Sequence, residues 1–468
     1  MSLIATAELL DSIELLAGRA AAGGARRLIS VTTEIDAIDP CAVAFASRRA
    51  DDRWFCWEEP ERDSFAIAGI GSAHEVISRG PTRSAELIAD TTAIMRGRLA
   101  DAADDLPPGA GPLWVGGMAY AGESTAAGPW ASLPPALLFL PELLLTRSGG
   151  RHLLTLSGFA GAGTDPGELR GRLESRLASL RGELLPPLDP HPTTRAEVAS
   201  ARAPAVYEAA VAGAVERIRG GEFDKLVLAR EVRVTAPSAH SAAALFGALR
   251  ESFGSCFCFC VGTPEAAFVG ASPELLVRRS GAVAATVALA GSARRSADPA
   301  VDDHLGEQLR HSDKDRAEHR IVVKRIARRL APLAVWVEAA PEPVVIKVAN
   351  IQHLATPIHA QLADSRSALE LAALLHPTPA VGPEPRGAAG DAAIAELEGM
   401  ERGWYAGPVG WIDAADDGEF CVALRSALLR DRTAHLFAGA GIVADSDPAA
   451  ELAETEVKLD ALLPLLAG

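Results

Sequence analysis

The order of strands and helices beyond residue 200 is the feature that most constrains the fold of this 468-residue chain. Hydrophobic periodicity predicts a helix at 207–219, a strand at 225–235 and a helix at 241–251, followed by successive strands between residues 256 and 289. Strands that follow one another without a helix form hairpins, whereas a doubly wound parallel sheet needs a helix between them. The pattern therefore predicts an α+β fold.

A proline-rich connection divides the chain into two portions. Five prolines, among them Pro190 and Pro192, fall between Leu184 and Val206, and such clusters are typical of loops. We place the boundary there. The two portions are residues 1–200, an N-terminal α+β portion that completes the fold, and residues 201–468, which hold the candidate site residues.

The charge balance excludes several kinds of partner. The chain has 61 Asp and Glu against 45 Lys and Arg, a formal net charge of −16, which repels phosphate backbones and anionic lipid. Glu8, Asp11 and Glu14 stand where a signal peptide would need basic residues and an apolar run. We therefore expect a cytoplasmic protein without nucleic-acid or membrane partners, in which local cations, helix N-termini or a metal ion hold any anionic ligand.

Three of the six cysteines, Cys256, Cys258 and Cys260, fall on one face of a predicted strand. Same-face neighbours on a strand are about 6.6 Å apart, so a zinc site here would need ligands from elsewhere. Reduced thiols that pack as small apolar groups are the favoured interpretation.

The C-terminal region combines a glycine-rich segment with a clear helix start. HLFAGAGIV at residues 435–443 superficially resembles a dinucleotide-binding turn, but one helix follows it and the βαβ unit is missing. Asp447 is a candidate N-cap with Pro448 at the first helical position, which predicts a closing helix from Pro448 to Leu466. The glycines allow close approach of an anionic ligand to the backbone instead.

Carboxylates on two predicted helices have two interpretations. A long charged helix from about Val301 to Leu333 carries Glu318, and the closing helix carries Glu451, Glu454 and Lys458 on one stripe. Such carboxylates most often pair with a lysine of the same helix in solvent. The alternative is a Mg²⁺ site, because Mg²⁺ binds one or two carboxylates and leaves positions open for substrate oxygens.

Lys225 and Glu274 have the same ambiguity. Lys225 opens the strand KLVLAR, and Glu274 follows a Ser-Pro turn in GASPELL. A lysine at a strand start is usually solvated and a glutamate after proline often opens a turn, so neither residue alone indicates catalysis.

Taken together, the segments resemble the chorismate-utilising enzymes and, within them, the isochorismate synthases. The matching stretches occur in family order across residues 221–459. They are GEFDKLVLAR, FVGASPELLVR, LAGSARR, SDKDRAEHRIV, VANIQHLATPI, LLHPTPAVG, RGWYAGPVGW, FCVALRSALL and LFAGAGIVADSDPAAELAETEVKL. The resemblance implies a large fold of packed antiparallel β-sheets with helices outside. A weaker likeness in TEIDAIDP, near the N-terminus, extends it to the longer members.

The resemblance implies chemical roles for five carboxylate and amine side chains. Lys225 would be the general base that activates water, and Glu274 the general acid beside the departing hydroxyl. Glu318 and Glu454 would bind the cofactor Mg²⁺, with Glu451 supporting that site. Moving a hydroxyl from C4 to C2 of chorismate needs both proton transfers, so Lys225 must act in its neutral form. Glu274 must be protonated, which an apolar or anionic setting favours by raising its pKa.

The resemblance also implies a substrate-binding set. Arg425 and the backbone near Gly439 would hold the enolpyruvyl carboxylate of chorismate. Gly291 and Lys458, with the metal, would hold the ring carboxylate. His353 would lie near the ring, and Ala380 would distinguish subfamilies.

Three positions favour isochorismate synthase over other members of the family. Ala290 stands where aminodeoxychorismate synthases carry a nucleophilic lysine, and Lys225 stands where ammonia-using anthranilate synthases have a glutamine. Water is therefore the favoured nucleophile, no amidotransferase subunit is expected, and we expect a monomer. Ala380 replaces the threonine usual in relatives that eliminate pyruvate. A salicylate synthase and a non-catalytic chorismate-binding relative are the alternatives.

One segment departs from the family pattern. After AVG the family commonly has a second glycine and one more residue before proline, but this chain has Pro383 and Glu384. Proline fixes φ and removes an N–H, so backbone contacts of this loop are expected to differ.

The pathway that the product would enter, whether menaquinone, siderophore or salicylate, is left open by the sequence.

Overall fold

Two large β-sheets face one another, with helices packed on their outer surfaces, in a computed structural model that describes residues 3–122, 128–189, 195–348 and 351–468. The predicted α+β class and the implied architecture of packed antiparallel sheets are confirmed. Pro190 and Pro192 of the predicted connection lie outside the described residues.

The strands and helices are numbered in chain order. The strands are β1 (Arg27–Glu34), β2 (Trp54–Glu59), β3 (Phe65–Ile70), β4 (His74–Ser78), β5 (Leu99–Asp101), β6 (Trp114–Met118), β7 (Ala136–Leu140), β8 (Leu143–Ser148), β9 (Arg151–Ala160), β10 (Glu197–Ser200), β11 (Leu226–Thr235), β12 (Phe257–Gly262), β13 (Ala267–Ser272), β14 (Leu275–Ser280), β15 (Val283–Arg294), β16 (Ala334–Ala339), β17 (Val344–Val348), β18 (Ile351–Leu362), β19 (Pro408–Ile412), β20 (Gly418–Val422), β21 (Ser426–Arg430) and β22 (Thr433–Ile442). The helices are α1 (Leu3–Gly23), α2 (Pro40–Ser47), α3 (Arg83–Arg96), α4 (Pro166–Ala178), α5 (Pro204–Arg219), α6 (Ala242–Ser252), α7 (Pro299–His311), α8 (Asp313–Leu330), α9 (Ala368–Leu375), α10 (Ala388–Glu398), α11 (Pro448–Leu459) and α12 (Leu463–Ala467).

Both sheets contain strands from both portions of the chain. Within the described residues the larger sheet has 12 strands in the order β10-β11-β22-β21-β13-β12-β2-β3-β8-β9-β1-β5. The second sheet has 10, in the order β16-β18-β15-β14-β20-β19-β6-β7-β4, with β17 also paired to β18. The pairs β2–β12 and β6–β19 join the N-terminal strands to the C-terminal ones. Residues 1–200 therefore supply strands to both sheets.

The sheets bury one core between them and a second core outside the larger sheet. Between the sheets, Trp57 of β2 and Phe65 of β3 belong to the same buried cluster as Phe139 of β7 and Phe420 of β20. Alternate residues of the same strands, such as Cys56, face the second core, which α1, α2, α4 and α6 cover. A strand sends successive side chains to opposite faces, so strands covered on both faces have little polar alternation.

Several local predictions are settled by the structure. The six cysteines are buried free thiols, as predicted. The prediction of one long helix from Val301 to Leu333 is wrong, because the segment forms two helices, α7 and α8, separated at Ser312. Ser312 is extended, and its side chain accepts a hydrogen bond from the Asp315 N–H, so it caps a new helix.

The closing helix begins as predicted, with the Asp447 side chain accepting from the Ala450 N–H. It ends at Leu459 and not at Leu466, and α12 follows it as a separate helix. Among the described residues, no helix is both long enough and apolar enough to cross a membrane.

Candidate active site

One cavity where the two sheets meet α8 and α11 gathers ten of the eleven predicted site residues. The ten are Glu274, Gly291, Glu318, His353, Ala380, Arg425, Gly439, Glu451, Glu454 and Lys458. The eleventh, Lys225, is buried in the cavity wall behind Glu318. Predicted site residues that lie up to 184 positions apart, from Glu274 to Lys458, thus surround a single space.

Lys225 is fully buried, contrary to the usual solvated lysine at a strand start. It directly precedes β11, and its Nζ donates to Glu318 Oε1 at 2.7 Å. Gly441, on the neighbouring strand β22, provides the space for this pair, because a Cβ there would lie 2.6 Å from Glu318 Oε1 and 2.8 Å from Lys225 Cε. The glycine that the sequence associated with a backbone anion site therefore accommodates the candidate base.

Glu274 lies between β13 and β14 at the cavity wall and is 4% exposed. Burial raises its pKa to about 7, although the nearby Lys225 and Arg425 cations oppose that effect. The Thr378 hydroxyl donates to Glu274 Oε1 at 3.4 Å. A carboxyl with this pKa holds its proton in a large fraction of molecules near neutral pH, as a general acid must.

Arg425 and His353 form an oriented pair on the cavity floor. The Gly291 carbonyl, 3.2 Å from His353 Nδ1, can only accept, so Nδ1 carries the proton and Nε2 accepts from Arg425 Nη2 at 2.8 Å. Burial, and after it the Arg425 charge, lowers the pKa of His353 well below its usual value and keeps the imidazole neutral. The guanidinium is thereby fixed in direction, with its charge available to an anion in the cavity.

The carboxylates of the two helices are balanced by lysines. Lys458 Nζ donates to Glu454 Oε1 at 2.7 Å and to the Gly439 carbonyl at 2.8 Å, and Ser292 donates to Glu454 at 3.0 Å. Glu451 pairs with Lys314 at 3.4 Å. The i, i+4 pair expected of a solvated helix is therefore present for Glu454, but it lines the cavity instead of the open surface.

The carboxylates of the two helices are the ligand type that a hard divalent cation prefers. Glu318 on α8 and Glu454 and Glu451 on α11 approach the same space from two helices, and Mg²⁺ needs only one or two carboxylates beside substrate and water oxygens. Over the described residues, no group of three or more His, Cys, Asp or Glu side chains is already arranged around one point. The Mg²⁺ assignment stays a prediction.

Sequence reasoning missed several residues of the cavity, although most lie inside motifs that it had singled out. Lys314 belongs to SDKDRAEH and Tyr405 to RGWYAGPVGW, and both line the cavity. Thr378, in HPTPAVG, contacts Glu274. Arg402 lines the cavity too, and it donates to Val227 O of β11 at 2.7 Å. Their positions in these motifs were a usable signal, but a residue pattern does not show which side chains turn inward.

Comparison with known proteins identifies the class of protein that this fold and cavity define. The family described as chorismate binding enzyme matches residues 15–467, and the chain belongs to that family. The motif-based prediction of this family is confirmed, and so, through relatives named as isochorismate synthases, is the predicted enzyme class, an isomerase.

Two relatives match over nearly their whole length. The chain is 37% identical over 466 residues to a salicylate biosynthesis isochorismate synthase of Pseudomonas aeruginosa, with 98% of this chain and 94% of the relative covered. It is 32% identical over 448 residues to isochorismate synthase MenF of Bacillus subtilis, with 94% of each covered. The solved structure of MenF from Escherichia coli, a menaquinone-specific isochorismate synthase, superimposes with a TM-score of 0.78 and 27% identity, covering 98% of this chain and 99% of MenF.

Proposed function

We propose that this chain is an isochorismate synthase, which converts chorismate to isochorismate. The observation that carries the proposal is the joint position of Lys225 and Glu274, a buried amine and an acid with a pKa of about 7, beside one cavity. Relatives named as isochorismate synthases match 94% or more of the chain and support the choice.

In the proposed reaction water adds at C2 while the hydroxyl leaves from C4. Lys225, in its neutral form, takes a proton from water as the new C2–O bond forms. Both double bonds of the ring diene shift, the one at C1=C2 to C1=C6 and the one at C5=C6 to C4=C5, as the C4–O bond breaks. Glu274 gives its proton to the departing oxygen, which leaves as water. One water enters and one leaves, and the amine and acid exchange protons with solvent before the next turnover.

The cavity supplies the positive charge that a dianionic substrate needs and that the acidic chain lacks overall. Arg425 has a direction fixed by His353, and Lys458 of α11 and Lys314 of α8 line the same cavity. Two separated cationic positions suit the two carboxylates of chorismate, because charge-assisted hydrogen bonds are stronger than neutral ones.

Glu318 and Glu454, with Glu451 beside them, are the residues that would hold Mg²⁺. When bound, the ion would neutralise the ring carboxylate and orient the diene. In the structure Glu318 and Glu454 each pair with a lysine amine at 2.7 Å. A metal ion would therefore compete with these lysines for the same carboxylate oxygens.

Product analysis tests the proposal. Chorismate and Mg²⁺ are incubated with the protein, and isochorismate, salicylate and pyruvate are separated and quantified. We expect isochorismate without stoichiometric pyruvate; release of pyruvate at a matching rate would instead establish the alternative, a salicylate synthase. Absence of any turnover would establish a non-catalytic chorismate-binding relative.

Ala380 provides a matched variant for the same assay. It lines the cavity, and the pyruvate-eliminating relatives usually carry threonine there. A380T adds the missing hydroxyl with one extra carbon, so we expect a larger pyruvate fraction than in the parent chain. The absence of an amidotransferase partner, a monomeric state and a cytoplasmic location remain predictions.

A further inference from the structure

The segment that departs from the family pattern contacts the candidate base directly. The Glu384 N–H donates to the Lys225 carbonyl at 2.8 Å, and the Lys225 N–H donates to the Glu384 carbonyl at 3.2 Å. The Asp224 N–H shares that carbonyl at 2.8 Å. These bonds form a two-way antiparallel bridge immediately before β11, so the backbone position of Lys225 depends on that of Glu384.

The side chain of Glu384 forms an ion pair with Arg325 of α8. Glu384 Oε2 lies 3.0 Å from Arg325 Nε, without the geometry of a hydrogen bond, and 14% of the glutamate and 25% of the arginine side chain are exposed. Arg325 follows Glu318 by seven positions, which places both on one face of α8 two turns apart. A single helix thus holds Lys225 at its amine through Glu318 and at its backbone through Arg325 and Glu384.

The loop around Glu384 has little freedom to adjust. Pro383 and Pro385 flank it and restrict the backbone on both sides. Pro383 packs so closely against α10 that a Cβ at Gly390 would lie 2.5 Å from Pro383 Cβ. Farther along, Arg402 bridges the loop to β11 by donating to Val381 O at 2.8 Å and Val227 O at 2.7 Å.

From these contacts we infer that Arg325 and Glu384 are positioning residues for Lys225, with the ion pair setting where the amine stands relative to the cavity. The inference rests on the proposed function, since it takes Lys225 as the base. An ion pair of intermediate exposure contributes little to folding stability. A shift of about 1 Å in a reacting group can nevertheless lower a rate by up to about 10²-fold, so the effect should fall on turnover.

Steady-state kinetics of R325M, E384Q and the double variant test the inference. We expect each single variant to lower kcat by about tenfold with KM for chorismate within about twofold of the parent. The double variant should be no worse than either single one, because both remove the same contact. R325K, which keeps the charge, should retain most of the parent kcat.

A second ion pair on the same helix provides the control. Arg316 of α8 pairs with Glu342 at 3.1 Å, and neither residue lines the cavity. R316M should leave kcat unchanged. Parental kcat in both R325M and E384Q, additive losses in the double variant, or an equal loss in R316M would each overturn the inference. A parent chain that converts no chorismate would overturn the proposed function itself, and with it the inference.

Discussion

Glu274 and Glu454 line the same cavity, yet their surroundings shift their pKa values in opposite directions. Glu274 follows a sheet strand, and burial raises its pKa to about 7. Burial disfavours the charged form of Glu454 as well, but Lys458 and the hydrogen bond from Ser292 outweigh it and lower the pKa. The surroundings of Glu274 on the sheet side therefore favour a protonated acid, and those of Glu454 on the helix side favour a charged carboxylate that a cation can bind.

Lys225 connects these two sides, and its replacement should have the largest effect. In K225M the amine is lost while most of the side-chain volume remains, so we expect turnover to fall by about 10³-fold because no other group takes the proton from water. Chorismate turnover at saturating substrate measures this, and a thermal melt reports whether the fold is retained. K324M, an exposed lysine of α8, is the control and should keep full turnover.

Substitution of Glu274 tests the acid of the cavity through turnover and its dependence on pH. E274Q keeps the shape and the Thr378 contact but has no proton to give, so turnover should fall by about 10²-fold. For the parent chain, kcat/KM should fall as pH rises above about 7, because Glu274 then loses its proton. A parental pH profile that stays flat from pH 6 to about 9 would contradict the assigned acid.

The same variant has a stability signature with a definite sign. The pKa of Glu274 is higher in the folded chain than its ordinary 4.5, so the folded state binds the extra proton and loses stability as pH rises from 4.5 to about 7. Above that range E274Q avoids a buried charge and should be more stable than the parent by up to about 3 kcal/mol. Urea unfolding at pH 8 and pH 4 should show the difference at the higher pH and almost none at the lower.

Substitution of Glu454, on α11, should change the stability of the fold in the opposite sense, and by less. Glu454 has a lowered pKa, so its charged form contributes stability that is present above its unfolded pKa and is lost as pH falls through its folded pKa. E454Q should therefore be less stable than the parent at pH 8.

E454Q and E318Q should also weaken Mg²⁺ binding by about tenfold or more, measured by calorimetric titration. E456Q, an exposed neighbour on α11, should bind Mg²⁺ as the parent does.

The sequence predicted the α+β architecture because hairpin-connected strands exclude a doubly wound sheet, and motif order indicated which side chains would meet. It did not reveal the break at Ser312, since the charged pattern continues through that residue and the cap is a backbone event. It also did not reveal β18, because Pro357 and polar residues interrupt the pattern of that strand. In the structure β18 pairs with β15 along one edge and with β16 and β17 along the other.

The burial of Lys225 lies beyond what local sequence can predict. Its fully buried state depends on Gly441 of β22 and Glu318 of α8, which lie 216 and 93 positions away. In the register of β11 and β22, Val227 lies opposite Gly441, so the space that this glycine leaves lies beside Lys225. Propensity and periodicity describe neighbours within a few residues, so they favour the solvated lysine that the fold rules out.

The origin of the oxygen atom at C2 of the product tests the roles of Lys225 and Glu274 together. The parent chain converts chorismate in water enriched in ¹⁸O, and the isochorismate formed is analysed by mass spectrometry for label at C2. If Lys225 activates water and Glu274 releases the original hydroxyl, every product molecule should carry one solvent oxygen at C2. Isochorismate that retains the substrate oxygen would contradict this account of the cavity.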